Sequence, residues 1–242
     1  MITIKNDLQL AKMRSAGHLL YDVLCQLRER MAPGMTTLDL DRYAHELITH
    51  AHAIPSFLGY EGYPATLCVS IDDEVVHGIP SKHIEMKEGS IVSVDCGLVL
   101  DGWQADSAFT KGMGQISPEC AQLIEVTERC FFEGARQAVD GNRLGDIGHA
   151  VQQLAESYNY GVIRDLTGHG IGREMHEDPA VPNYGTPGHG VRLRRGMTIA
   201  IEPMIALGLY QVHQLRDGWT IVTNDHKPCS HYEHTIAITN GL

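Results

Sequence analysis

The sequence predicts a single α+β domain, and three observations predict it. Segments with apolar residues at helical spacing come in two pairs, one at the start of the chain and one in the middle. Each pair is followed by strand-like runs and tight turns, without regular βαβ alternation. No linker or low-complexity stretch divides the 242 residues, which are enough to bury a sizeable core.

Each element has a local reason. Over residues 7–31, Met13, Ala16, Leu20, Leu24, Leu27 and Met31 recur at helical spacing, and Ala32-Pro33-Gly34 stops the helix. Thr37 is the expected cap of a second helix reaching Ala51, with Leu40, Tyr43, Leu47 and Ala51 as its buried face. A short strand is expected over 65–71. Residues 91–100 and 103–110 flank Asp101-Gly102, the signal of a β-hairpin. Ser117 caps a third helix with Pro118 at its first position, running to about Val139. A fourth helix follows over 144–158. Strands over 197–201, 219–222 and 231–239 complete the set, and no short sequence repeat is visible.

Composition narrows the class. Thirty acidic residues against nineteen basic ones give a net charge of −11, which argues against nucleic acid or an anionic membrane as main partner. A hydrophobic content of 43% excludes a disordered chain. Cys25, Cys68, Cys96, Cys120, Cys130 and Cys229 form no C-x-x-C pair, and several sit in apolar stretches. They read as free thiols in a reducing compartment. There is no apolar leader and no run of about 18 uncharged apolar residues. The expectation is a soluble, cytoplasmic protein.

The hairpin carries the first chemistry. With a two-residue turn at Asp101-Gly102, Asp95 opposes Ala108 and Asp106 opposes Gly97. The two aspartates then project from one face as diagonal neighbours, about 7–8 Å apart at the backbone. Converging carboxylates in strand interiors are costly unless a cation lies between them. Alternatively, one of them faces water or caps a turn. Next, Gly168-His169-Gly170-Ile171-Gly172 sets glycines around a histidine, with His176 seven residues on. The glycines argue against a helix and allow close backbone approach. Glu202 and Glu233 sit in or beside apolar runs, Ile-Ala-Ile-Glu-Pro-Met and Tyr-Glu-His-Thr-Ile. Both faces of those runs look buried, so both acids need partners. His77-Gly78-Ile79-Pro80 is a further His-bearing turn. No phosphate-binding loop and no serine elbow is present.

The candidate ligands are Asp95, Asp106, His169, Glu202 and Glu233, four carboxylates and one imidazole. Two divalent ions would balance that charge. Such a donor set suits Mn²⁺, Fe²⁺ or Co²⁺, and Zn²⁺ is compatible although no cysteine favours it. A pair of ions about 3.5–4 Å apart activates water and holds a carbonyl oxygen, which serves amide or ester hydrolysis.

In this order and spacing, these segments, with Asp106-Ser107 and His176-Glu177, resemble the type I methionine aminopeptidases of the pita-bread peptidase family. The resemblance covers nearly the whole chain. It implies a pita-bread (creatinase/aminopeptidase) fold: a pseudo-two-fold α+β domain with a central curved antiparallel sheet, helices outside and two metals in the concave face. It implies one catalytic domain over residues 1–242 with no N-terminal extension. By the same resemblance, Asp95 chelates one metal, Asp106 and Glu233 bridge both, and His169 and Glu202 complete the second. The metals also receive the free α-amino group. Glu202 doubles as general base toward the attacking water, His77 assists the leaving amine, and His176 hydrogen-bonds the carbonyl or oxyanion. Tyr60, Tyr63, Cys68, Met175 and Trp219 match positions lining the methionine pocket, together with His77 and His176. The implied activity is removal of the N-terminal methionine before a small second residue. The implied partners are nascent polypeptide N-termini, some at the ribosome, met by a monomer.

Two positions depart from the family pattern. Gln104-Ala105 stands where His-Gly often precedes the aspartate, and Met175 stands where an aromatic residue is common. Neither removes a ligand. A proline-specific aminopeptidase or dipeptidase of the same fold is the related alternative. A non-enzymatic binding module is the alternative from another class.

Overall fold

A computed structural model describes residues 1–239. Helix α1 (Asp7–Arg30) starts at Asn6, which forms a capping box with Gln9. Helix α2 (Thr37–His50) is capped by Thr36 rather than Thr37. The Thr37 hydroxyl instead pairs with the backbone of Ser81. The buried face of α2 is Leu40, Asp41, Ala44 and Ile48, rotated from the expected one. Asp41 turns inward because its carboxylate accepts the N–H groups of Thr66 and Leu67. Tyr43 and Leu47 become half-buried flanks, and Ala51 falls just past the helix.

Strands β1 (Ile54–Pro55), β2 (Leu67–Ile71), β3 (Glu74–Val76), β4 (Ile91–Leu100) and β5 (Trp103–Gly112) follow, with a 3-10 turn at Tyr60–Gly62. Helices α3 (Pro118–Gln137), capped by Ser117, and α4 (Leu144–Ser157) come next. The remainder is β6 (Gly161–Val162), β7 (Gly168–Gly170), β8 (Glu177–Val181), β9 (Thr198–Ile201), β10 (Met204–Ala206), β11 (Val212–Gln214), β12 (Ile221–Thr223), β13 (Cys229–His231) and β14 (Glu233–Ala237). The strand expected from residue 219 starts at Ile221, because Trp219 and Thr220 donate their N–H groups to the Asp217 side chain. The run expected over 231–239 is two strands in two sheets, separated at Tyr232, whose N–H bonds the Pro203 carbonyl.

The main sheet runs β1-β4-β5-β14-β9-β7-β8, with β2 also paired to β4, and all its pairings are antiparallel. Smaller sheets are β13-β10-β6 and β11-β12-β3. The helices reveal a repeat that the sequence hides. A long helix precedes a 14-residue helix in each half. Each shorter helix follows a residue held in an isolated antiparallel bridge, Thr36 with Glu85 and Arg143 with Arg192. The β5–β14 pairing joins the two halves of the sheet.

Strand parity then sorts the side chains. Val92, Val94, Cys96 and Leu98 of β4, with Ala105 and Phe109 of β5, join the α1–α2 core. Ile199, Ile201 and Ile236 join the core under α3 and α4. Alternation sends Asp95, Asp106, Ala108, Glu233 and the residue after β9, Glu202, to the opposite face. Among the described residues, no helix is long and apolar enough to cross a membrane.

Candidate metal centre and active site

The hairpin has the register read from its turn: Asp95 faces Ala108, and Asp106 faces Gly97. Ala108 in turn faces Glu233 across the β5–β14 pairing. Asp95 and Glu233 therefore flank a methyl group in one cross-strand row, which leaves space above it. One donor atom each from Asp106, His169 and Glu233 lie within 4.8 Å of one another, and so do donors from Asp95, His231 and Glu233. His169 Nε2 is 3.7 Å from both Asp106 Oδ2 and Glu202 Oε1. Its Nδ1–H donates to the Gly170 carbonyl at 2.8 Å, which leaves Nε2 as the donor atom of the neutral ring.

Glycine at 168 and 170 is a packing requirement. A Cβ on Gly168 would stand 2.3 Å from the Ala200 carbonyl oxygen, and one on Gly170 would stand 2.1 Å from that of Asp178. Only the bare backbone lets β7 carry His169 this close to its neighbours.

Burial holds the Asp95 and Glu233 carboxyls far above the usual range, and neighbouring acids add to it. Burial pushes Glu202 up to about 8; the His169 charge works against that and the Asp106 charge adds to it. Burial opposes charge on His169, but Asp106 and Glu202 outweigh it and hold the imidazole at about 9. Asp95 Oδ1, Asp106 Oδ1, Glu233 Oε1 and His231 Nε2 are buried with no hydrogen-bond partner. Buried, unpartnered donor atoms on residues gathered in two groups that share Glu233 are what cations would satisfy. The residues present therefore fit a divalent metal centre.

Above this acidic floor lies a cavity of about 260 Å³. Asp95, Asp106, His169, Glu202 and Glu233 all line it, as do His77, His176, Tyr60, Tyr63, Cys68 and Trp219. His77 has a left-handed backbone, φ 61°, and its ring meets Trp219 edge-on. Burial, followed by the like charge of His169, depresses His176 to about 4. Tyr63 donates its hydroxyl hydrogen bond to the Leu67 or Gly78 carbonyl and packs edge-on against Trp219.

Met175 corrects one expectation. It is 2% exposed in the apolar cluster behind the cavity and is not among the lining residues. Its methyl end rests over Gly97, where a Cβ would come within 2.8 Å, so it supports the wall from behind. Phe57, Val76, Leu166 and Met204 line the cavity and were not singled out by sequence reasoning. Their apolar character gives no signal that separates them from core. Glu177, named only within a matching segment, was given no role. It accepts from buried Lys5 at 2.7 Å and from the Arg173 N–H, pinning the loop that carries His176. His231 was not singled out either, and the adjacent Tyr-Glu motif was its only cue. At the departing position, Gln104 accepts the Ser56 hydroxyl at 2.5 Å.

The profile of metallopeptidase family M24 matches residues 11–240. A methionine aminopeptidase of Clostridium acetobutylicum is 54% identical over 241 residues, covering 100% of this chain and 96% of that protein. The crystal structure of methionine aminopeptidase from Thermotoga maritima matches with a TM-score of 0.98 at 45% identity, over 100% of this chain and 97% of that one. The prolidase of Pyrococcus horikoshii shares the fold alone, at 19% identity and a TM-score of 0.77, over 98% of this chain and 61% of that one. With carboxylates and an imidazole converging on one buried point, and a family match spanning nearly all its length, the chain belongs to metallopeptidase family M24.

Proposed function

We propose that this chain is a methionine aminopeptidase acting as a single catalytic unit. One observation carries the reading. The five metal-type donors form the floor of the same small cavity whose walls are Tyr63, Cys68 and Trp219. A polarizable thioether side chain suits such walls, and the acidic floor suits a terminal ammonium. The 54% identity to a protein named methionine aminopeptidase supports the same conclusion.

Asp95, Asp106, His169, Glu202 and Glu233 would hold two divalent ions, with Mn²⁺, Fe²⁺ or Co²⁺ favoured by the oxygen-rich set. When bound, the ions supply the positive charge that polarises the scissile carbonyl and eases deprotonation of water. Glu202 accepts the proton of the attacking water. We assign the donor role in the 2.8 Å contact between Tyr60 and Nδ1 of His176 to the tyrosine hydroxyl, so that Nε2 carries a hydrogen directed to the developing oxyanion. His77, neutral because burial lowers its pKa, stands at the leaving amine. A wider groove of about 830 Å³ shares Thr167, His169 and His176 with the cavity and gives the rest of the substrate chain a path outward.

The six free cysteines support a reducing compartment, and we assign the activity to nascent chains in the cytoplasm, performed by a monomer. The test is hydrolysis of Met-Ala-Ser and of an Xaa-Pro peptide by protein reconstituted with Mn²⁺, Fe²⁺, Co²⁺ or Zn²⁺. Release of free methionine from the first peptide supports the reading. Turnover of the Xaa-Pro peptide alone transfers it to a proline-specific enzyme, and no turnover with any ion to a binding module.

A further inference from the structure

His231 is 2% exposed, and its Nε2 has no hydrogen-bond partner. That atom stands 3.6 Å from Glu233 Oε2 and 4.0 Å from Glu202 Oε2. These separations are too long for hydrogen bonds. Two donors that share one ion at about 2.1 Å each are about 3–3.5 Å apart, which is close to what is seen. The mount is rigid. The His231 N–H donates to the Thr110 hydroxyl at 3.0 Å, and that hydroxyl lies 2.9 Å from the His231 carbonyl. Thr110 is in turn tied to Ser93 at 2.8 Å and Ser230 at 3.1 Å. Strand β13 also pairs His231 with Met204 of β10, two residues after Glu202.

The donors fall into two groups that share Glu233. One is Asp106, His169 and Glu233; the other is Asp95, His231 and Glu233. Each group contains one imidazole. We propose that His231 Nε2 is a sixth donor of the centre and binds the ion on the Asp95 side. The inference rests on the proposed metal centre and changes its character: one imidazole serves each ion, in place of one imidazole for the pair. A neutral imidazole adds no charge, so the balance of two ions against four carboxylates is preserved.

The experiment uses the whole protein loaded with Co²⁺. Paramagnetically shifted imidazole proton signals are counted by NMR, and Co²⁺ affinities are measured by calorimetric titration. Wild type, His231→Gln and Asp106→Asn are compared, with thermal unfolding of each metal-free protein as the fold check. His231→Asn replaces the glutamine variant if the latter does not fold. The expected wild type shows two shifted imidazole sets. His231→Gln shows one set, and one of the two ions binds about tenfold or more weakly. A single set in wild type, or two sets with unchanged affinities in the variant, overturns the inference while leaving the centre intact. A wild type that binds no Co²⁺ overturns the centre itself, and this inference with it.

Discussion

The Tyr60 hydroxyl lies 2.8 Å from Nδ1 of His176. With the hydroxyl as the donor, Nε2 carries the ring hydrogen and His176 offers it to the cavity. Removing the hydroxyl in Tyr60→Phe frees the tautomer. We expect kcat to fall about tenfold, the worth of one hydrogen bond, with KM little changed. His176→Ala removes the donor itself and should cost about 10²–10³ in kcat. Steady-state kinetics on a Met-Ala peptide distinguishes the two, and equal losses in both would mean that Tyr60 acts on more than the tautomer.

The crowded carboxylates predict opposed effects on function and stability. Glu233→Gln removes a buried acid surrounded by other acids. It should abolish activity at ordinary Co²⁺ concentrations. The metal-free variant should nevertheless melt a few degrees higher than metal-free wild type, since each kcal/mol is worth about 2–4 °C at this size. Differential scanning calorimetry of the two metal-free proteins reads this directly, and a lower melting point in the variant would contradict it.

Stability of the metal-free protein should fall with rising pH. Glu202 is held at about 8 against an ordinary 4.5, and His169 at about 9 against 6.5. Both folded values lie above the unfolded ones, so both contributions are complete below the unfolded values and lost as pH rises through the folded ones. His176, held at about 4, has the reverse sign and acts only below pH 6.5. The clear window is therefore pH 7 to 9. Metal-free Tm should decline across it, while protein in excess Co²⁺ should not, being stabilised by about 2.7 kcal/mol at a hundred times Kd. Parallel curves for the two forms would count against the acids as ligands.

Trp219→Ala opens the wall that Tyr63 supports edge-on. Lost burial of the substrate side chain should lower kcat/KM for Met-Ala-Ser about 10- to 100-fold. Bulkier first residues should lose less, so the ratio of methionine to phenylalanine substrates is the measurement. An unchanged ratio would place the specificity elsewhere.

Gly170→Ala tests the backbone approach. Its Cβ has 2.1 Å to a carbonyl oxygen, so β7 must shift and take His169 with it. Metal affinity should fall about 10- to 100-fold although no ligand changes. Titration with Co²⁺ measures it, and Gly34→Ala, at a turn away from the site, is the control for a general glycine effect.

How much of this was legible beforehand varied with range. The hairpin register followed from two turn residues, so the Asp95–Ala108 and Asp106–Gly97 pairs were readable from the sequence. The α2 face was misread because Asp41 is buried by backbone N–H groups 25 and 26 residues away. The break at Tyr232 depends on a bond to Pro203. Met175 was assigned to the pocket wall, yet which side of an apolar cluster faces the void is decided by packing alone. The internal repeat is carried by helix lengths and cap bridges, which leave little trace in residue identity.

The β5–β14 seam has a consequence for the order of synthesis. Asp95 and Asp106 lie in the first half of the chain, whereas Glu233 enters on β14, after every other donor. A precursor lacking that strand has an open edge at β5 and, under the proposed assignment, lacks one ligand. Under the proposed ligand assignment, catalytic competence therefore waits on the docking of β14 against β5.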